Sequence, residues 1–159
     1  MRKQIDSARM YVGGKTEELL GDVMEKEKSL ANLRVASKAN PWYGDLSRVG
    51  VRKQLEDTLK ALKSECVDVF YLHGPDAKHD IRETLDEVQK MYEEKKFERF
   101  ALSNFTAWET MYIHNYMSTH KWITPTIYQG MYVYTHTIYS HCAPTQNIYS
   151  RSNKTGTTP

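Results

Sequence analysis

At 159 residues the chain is long enough for one domain with a hydrophobic core. Its net charge of +2 is too small to argue for nucleic acid or an anionic membrane surface, so the expected partners are small molecules. Cys66 and Cys142 are too few for a disulfide framework, the polar start MRKQIDSARM lacks the apolar core of a secretory signal, and no run approaches a membrane span; the expected compartment is the cytoplasm.

Up to about Met131 the chain repeats one unit: a short β-branched or aromatic run, a polar connector, then an amphipathic helix. Gln4–Ala8 is the first run. The Gly13-Gly14 turn leads to Thr16 as N-cap, with Glu17 and Glu18 in the favourable first turn and Leu19, Leu20, Val23 and Met24 on one face. Leu33–Ser37 is the second run, followed by a helix near Ser47–Leu62 whose Val51, Leu55, Leu59 and Leu62 keep helical spacing. Val67–Leu72 is the third. Asp80 and Glu83 stand at capping-box distance before Ile81, Leu85, Val88 and Met91, and Thr106 and Glu109 do so before a helix rich in aromatics. Phe97–Leu102 lies between those helices, and Thr126–Gln129 is a fifth, shorter run. Strict alternation predicts parallel strands covered by helices with right-handed crossovers, an α/β fold.

At about Met131 the pattern stops. From there to Pro159 there is no Asp or Glu, while Tyr, Thr, Ser and His accumulate. The expected division is a barrel fragment over residues 1–132 and a divergent, irregular, poorly ordered tail over 133–159.

Asp6, Tyr11, Lys38 and His73 each follow one of these apolar runs, and so do Ser103 and Asn104. Polar groups at successive strand ends, roughly thirty residues apart, are what a parallel barrel produces, because its chemistry gathers at the carboxyl ends of its strands. These four residue types together can reduce a carbonyl, which needs a hydride donor and a proton donor. Tyrosine is a poor acid near neutrality, with an ordinary pKa of about 10, and the Lys38 ammonium is expected to bring the Tyr11 phenol down. Asp6 is available to hold Lys38 charged in a partly buried site. His73 is placed to orient the substrate oxygen or share in proton relay. Ser103, Asn104 and Gln129 offer neutral donors and acceptors suited to a flat amide such as a nicotinamide carboxamide. Singly, each of these residues is more often structural; their joint occurrence is what carries the reading.

In these contexts the residues resemble the aldo-keto reductase superfamily. IDSARMYVGGKTEELLG looks like its strand-two signature, with acid and catalytic tyrosine five apart; ASKA carries the lysine, YLHGPD the histidine, and LSNFTAWE with YQGMY the nicotinamide side. PWYG, FYLHGPD, SNFTAW and PTIYQGMY together look most like the subgroup that reduces aflatoxin dialdehyde and succinic semialdehyde. The resemblance implies NADPH-dependent reduction of aldehydes or ketones to alcohols, with Asp6, Tyr11, Lys38 and His73 catalytic and Ser103, Asn104 and Gln129 binding the cofactor. It implies a partial (β/α)8 TIM barrel of about five βα units, running from about residue 4 to about residue 132. Relative to the family's eight strands this is an expected truncation at both ends, leaving out the aromatic residue that stacks on the nicotinamide and the basic loop that grips the 2′-phosphate. Val133 stands where the subgroup continues YQGMY with Asn. The exposed sheet edges of a five-stranded piece point to homo-oligomer formation. The alternatives are a truncated product without function of its own and a non-catalytic binding module like the potassium-channel β subunits. Those subunits typically carry an amide residue at the position of His73, so His73 favours the reductase.

Three other motifs fail. Gly14-Lys15-Thr16 lies between strand and helix like a phosphate loop, but Arg9 occupies the place of its first glycine. Tyr11 and Lys15 have the Tyr-x-x-x-Lys spacing of short-chain dehydrogenases, yet Gly13-Gly14 breaks the helix on which both would have to lie, and no GxGxxG occurs. His136, His141 and Cys142 lack a second ligand pair, so no metal is expected. Asn104 and Asn153 fit the glycosylation pattern by chance in a cytoplasmic chain. Trp108, Tyr112 and Tyr116 are expected to serve helix packing rather than a cofactor.

Overall fold

The computed structural model of the chain describes residues 4–30 and 33–130. Five strands, β1 (Gln4–Asp6), β2 (Arg34–Ala39), β3 (Val67–Leu72), β4 (Phe97–Ser103) and β5 (Ile127–Gln129), alternate with four helices, α1 (Lys15–Lys26), α2 (Arg48–Leu62), α3 (Ile81–Glu93) and α4 (Ala107–Thr119). Single 3-10 turns sit at Tyr11–Gly14 and Lys28–Leu30. The strands pair in chain order and all pairs are parallel, the topology that helical crossovers require. This is the partial βα barrel expected from the repeat. The tail beginning at 133, with His136, His141, Cys142 and Asn153, lies outside the described residues.

Side-chain alternation divides the sheet into two faces. Val35, Phe70, Leu72, Phe100 and Leu102 join Val51, Leu55, Leu62, Leu85, Val88 and Met91 in the larger core, between sheet and helices. Ala36, Val69, Tyr71 and Ala101, with Ile127 against them, form a smaller cluster on the other face. The sheet curls around that second face. Flat, five strands spaced about 4.8 Å apart would hold their edges nearly 20 Å apart, yet Gln129 on β5 donates to Asp6 on β1 at 3.2 Å.

Several boundaries differ from the sequence-based expectation. β1 ends at Asp6 rather than Ala8; beyond it Ser7 N still donates to the Ala36 carbonyl at 2.8 Å and Arg9 N to the Lys38 carbonyl at 3.3 Å, while the Ser7 carbonyl accepts from Lys38 Nζ at 2.7 Å. β2 runs on to Ala39, since pairing with β3 continues through Lys38 opposite Tyr71 and Ala39 opposite Leu72. The N-cap of α1 is Gly14, not Thr16; Gly14 takes φ 92°, and the Thr16 hydroxyl is occupied in donating to the Tyr11 carbonyl at 3.3 Å. Leu19 is exposed, and the buried positions of α1 are Glu17 and Gly21. Asp80 caps α3 by accepting from the Arg82 amide, whereas the full reciprocal box forms at Thr106 and Glu109. Of the α4 aromatics only Tyr116 packs against the core; Trp108 and Tyr112 are exposed. Among the described residues no helix is long and apolar enough to cross a membrane.

At Gly21 the backbones of α1 and α2 come into close approach. A Cβ there would meet the Ala61 carbonyl oxygen and the Leu62 backbone, neither of which can swing aside as a side chain can. Gly21→Ala is therefore expected to lower unfolding free energy by about 1–3 kcal/mol despite the better helix propensity of alanine, as urea denaturation would read it. An unchanged midpoint would mean the two helices stand further apart.

Candidate active site

The carboxyl ends of the five strands bring the expected residues to one rim. Asp6 ends β1, Lys38 is the last residue but one of β2, His73 follows β3, Ser103 ends β4 with Asn104 after it, and Gln129 ends β5. Tyr11 opens the turn that leads from β1 into α1.

Lys38 is the centre of this arrangement. Its side chain has no exposed surface, and its ammonium donates to Asp6 Oδ2 and to the Ser7 carbonyl, both at 2.7 Å. The same Nζ lies 5.2 Å from the centre of the Tyr71 ring and 5.5 Å from that of Tyr11, within reach of both π faces. A buried ammonium without such partners would lose its charge or destabilise the fold. Asp6, with 42% of its side chain exposed, brings the rim into contact with solvent.

Tyr11 meets Lys38 through its ring and meets the His73 imidazole edge-on at 6.0 Å between centroids. Trp42 flanks the same imidazole at 5.4 Å. The sequence reading had the Tyr11 phenol lowered by Lys38. It is raised instead, first by burial and then by the Asp6 carboxylate. The physical reason is that Asp6 pairs directly with Lys38 and offsets its field at the phenol. Tyr11 thus keeps its proton through neutrality. His73 is held below the ordinary imidazole value of about 6.5, chiefly by burial and then by Lys38, against an opposing pull from Asp6. On acidification the unfolded imidazole takes its proton first, so His73's contribution to stability is present above about pH 6.5 and declines below it. Its Nδ1 is buried without a hydrogen-bond partner among the described residues, and its backbone is fixed by donation to the Ala39 carbonyl at 2.8 Å.

The amide side of the rim is tied together. Asn104, at φ 60°, donates through Nδ2 to the His73 carbonyl at 2.9 Å and to Ser103 Oγ at 3.0 Å, while its backbone N–H reaches the Gln129 carbonyl at 3.0 Å. Asparagine is one of the few side-chain-bearing residues that adopts this left-handed conformation readily. Ser103 is buried. Gln129 uses Nε2 on Asp6, leaving Gln129 Oε1 and Asn104 Oδ1 with no hydrogen bond among the described residues. A cavity of about 680 Å³ lies on the outer side of the Tyr11 turn, lined by Met10, Val12, Tyr43 and Gln54 among others. It touches none of Asp6, Tyr11, Lys38 or His73 and is separate from the rim.

Sequence reading missed the Trp42 contact with His73 and a buried carboxylate, Glu17, beneath the Tyr11 turn. Trp42 was marked only within the PWYG motif. Glu17 was read as a first-turn helix acid, a role that gives no sign of burial.

A parallel βα sheet carrying its polar residues at the strand carboxyl ends is a piece of a (β/α) barrel. The model of the Aldo/keto reductase family matches residues 2–148, and the chain belongs to that family. It is 42% identical over 131 residues to "Aflatoxin B1 aldehyde reductase member 4" from Homo sapiens, covering 81% of this chain and 40% of the relative. It is equally 42% identical over 131 residues to "Aflatoxin B1 aldehyde reductase member 2" from Rattus norvegicus, with 36% of that relative covered. The chain therefore spans about two fifths of the length of these curated relatives. Among solved structures, a thermostable aldo-keto reductase in complex with the inhibitor epalrestat superposes with a TM-score of 0.68 at 28% identity, over 80% of this chain and 44% of that one. An aldo/keto reductase from Klebsiella pneumoniae in complex with NADP and acetate shares the fold, with a TM-score of 0.61 at 24% identity over 70% of this chain and 38% of that one.

The charge arrangement predicts a titration result. Asp6 raises both Tyr11 and His73, so Asp6→Asn should lower both pKa values by leaving the Lys38 ammonium uncompensated. NMR titration of labelled tyrosine and histidine would read this directly. An upward movement of either would contradict the arrangement.

Proposed function

We propose that this rim reduces aldehydes or ketones to alcohols with NADPH as hydride source, Tyr11 giving the proton to the carbonyl oxygen. The observation that carries the reading is the fully buried Lys38 ammonium, held 2.7 Å from Asp6 while it lies over the ring of Tyr11. Family membership supports it, as do the aldehyde reductases among the relatives.

NADPH, when bound, supplies the hydride that goes to the carbonyl carbon. The atoms at the β4–β5 side of the rim suit its carboxamide: Asn104 Oδ1 and Gln129 Oε1 are free to accept from an amide NH2, and Ser103 Oγ carries a proton to donate. Tyr11 enters the reaction protonated, because burial and Asp6 keep it so. As negative charge develops on the carbonyl oxygen, the phenol proton transfers to it and the Lys38 ammonium stabilises the phenolate left behind. His73, kept neutral, donates a hydrogen bond that orients the oxygen without competing as a strong acid. With Nδ1 buried, Nε2 is the ring nitrogen available for that bond. Trp42 packs edge-on against the same imidazole at 5.4 Å and helps hold the ring in place. Residues 1–132 carry all of these groups, which is the extent we assign to the reductase unit.

Tyr11→Phe keeps the ring that packs on Lys38 and His73 and removes only the proton. Turnover of a small aldehyde should fall by about 10²- to 10⁴-fold while NADPH binding, followed by fluorescence, is retained. Turnover equal to that of the unsubstituted chain would place proton donation on another group.

A further inference from the structure

Beneath the turn that presents Tyr11 lies a carboxylate with no exposed side-chain surface, that of Glu17 in the first turn of α1. Three parts of the chain outside its own helix supply its hydrogen-bond partners. Arg9 Nη1, from the segment before Tyr11, donates to Glu17 Oε2 at 3.0 Å. Ser37 Oγ on β2 donates to Oε1. Thr58 Oγ1 on α2 stands 3.2 Å from Oε1 and 3.1 Å from Oε2. Ser37 immediately precedes Lys38, so the bond from Ser37 ties Glu17 to the strand that carries the ammonium.

Arg9 makes the opposite connection. Its guanidinium lies directly against the backbone of Gly14: a Cβ at that position would stand 2.7 Å from Arg9 Cζ. The guanidinium thus spans the turn Tyr11–Gly14, from the residue two before Tyr11 to the buried acid three residues past Gly14. Within the turn Val12 and Gly13 both have left-handed backbone, at φ 51° and 63°. Such a conformation in a β-branched residue costs free energy and persists only where the surroundings enforce it. The backbone bonds within the turn, Tyr11 N to the Ala8 carbonyl at 3.0 Å and Gly13 N to the Met10 carbonyl at 3.2 Å, stay local, and the backbone meets β2 just before it, where Arg9 N donates to the Lys38 carbonyl at 3.3 Å. On the far side of the turn, Glu17 makes the tie to β2 through Ser37 and closes the turn through Arg9.

We propose that Glu17 is a positioning residue for Tyr11: through Arg9 it clamps the Tyr11 turn, and through Ser37 it registers that turn against the strand bearing Lys38. The charge-assisted bond is shielded from water on the carboxylate side, where such bonds are strongest. Glu17 touches neither substrate nor cofactor and acts only through the placement of the phenol. The inference rests on Tyr11 being the proton donor, but the clamp itself is measurable without turnover.

Glu17→Gln keeps the side-chain size and an oxygen that accepts from Ser37 and Thr58, and removes the charge that holds Arg9. Arg9→Met removes the cation from a partly exposed position, and Arg9→Lys restores one. In the chain without cofactor, the NMR contact between the Tyr11 and His73 rings should be lost in Glu17→Gln and in Arg9→Met and be largely kept in Arg9→Lys. Amide exchange at Met10–Gly14 should quicken on the order of tenfold in the first two, while the amides of β3 are unaffected. The Glu17→Gln/Arg9→Met double variant should be no worse than either single one, since both break the same clamp. In turnover, kcat should fall with KM little changed. If Glu17→Gln does not fold, Arg9→Met decides. Retention of the ring contact in Arg9→Met, or exchange quickened equally in β3, would overturn the proposal by showing an ordinary structural role. Absence of carbonyl reduction by the unsubstituted chain would instead defeat the reductase reading and leave the clamp standing.

Discussion

A lysine ammonium with no exposed surface is the constraint around which this rim is arranged. Lys38 lies within β2, one residue before its end, and its side chain has no exposed surface. Its charge must be met in place. Asp6, which ends β1, and the Ser7 carbonyl just after it meet it, and so tie this segment to β2 beside the backbone bonds from Ser7 N and Arg9 N. Asp6 in turn accepts from Gln129 across the face of the sheet, so one carboxylate joins the first strand to the second and the fifth.

The same pair sets the electrostatics of its neighbours. An ammonium alone beside a phenol would favour phenolate strongly; one paired with Asp6 favours it less, and burial together with the Asp6 carboxylate leaves Tyr11 protonated. His73, farther into the buried side, stays neutral. The result is a tyrosine that keeps its phenol proton and a histidine that stays uncharged, a difference produced by environment rather than by residue type. What lies beneath the Tyr11 turn, the contact of Arg9 with Glu17, fixes where that proton stands.

Much of this could be read in the sequence. The alternation of β-branched runs with amphipathic helices gave the parallel order of all five strands, because period and turn chemistry are local properties. The polar residues at the strand ends could be read too, since a strand's carboxyl end is fixed once the strand is. What escaped is tertiary. Nothing local separates the buried Glu17 from the exposed Glu18 beside it, and Leu19 is exposed although its neighbour Leu20 packs on the core. Nothing in the local pattern marks Gly21 as the point where a second helix needs room. The direction of the Tyr11 shift differs from the expectation because it is set first by burial of the phenol and then by the Asp6 carboxylate, neither of which any spacing in sequence supplies.

The most direct test of the central role of Lys38 is a double-mutant cycle on folding stability, with Lys38→Met, Asp6→Asn and the pair measured by urea denaturation. Asp6→Asn leaves a buried cation short of its counter-charge, whereas with methionine at 38 no such charge remains. The two substitutions should therefore couple, by about 1–3 kcal/mol, with the double variant less destabilised than the sum of the singles. Strict additivity would contradict the account, showing that the two side chains are neighbours without being partners.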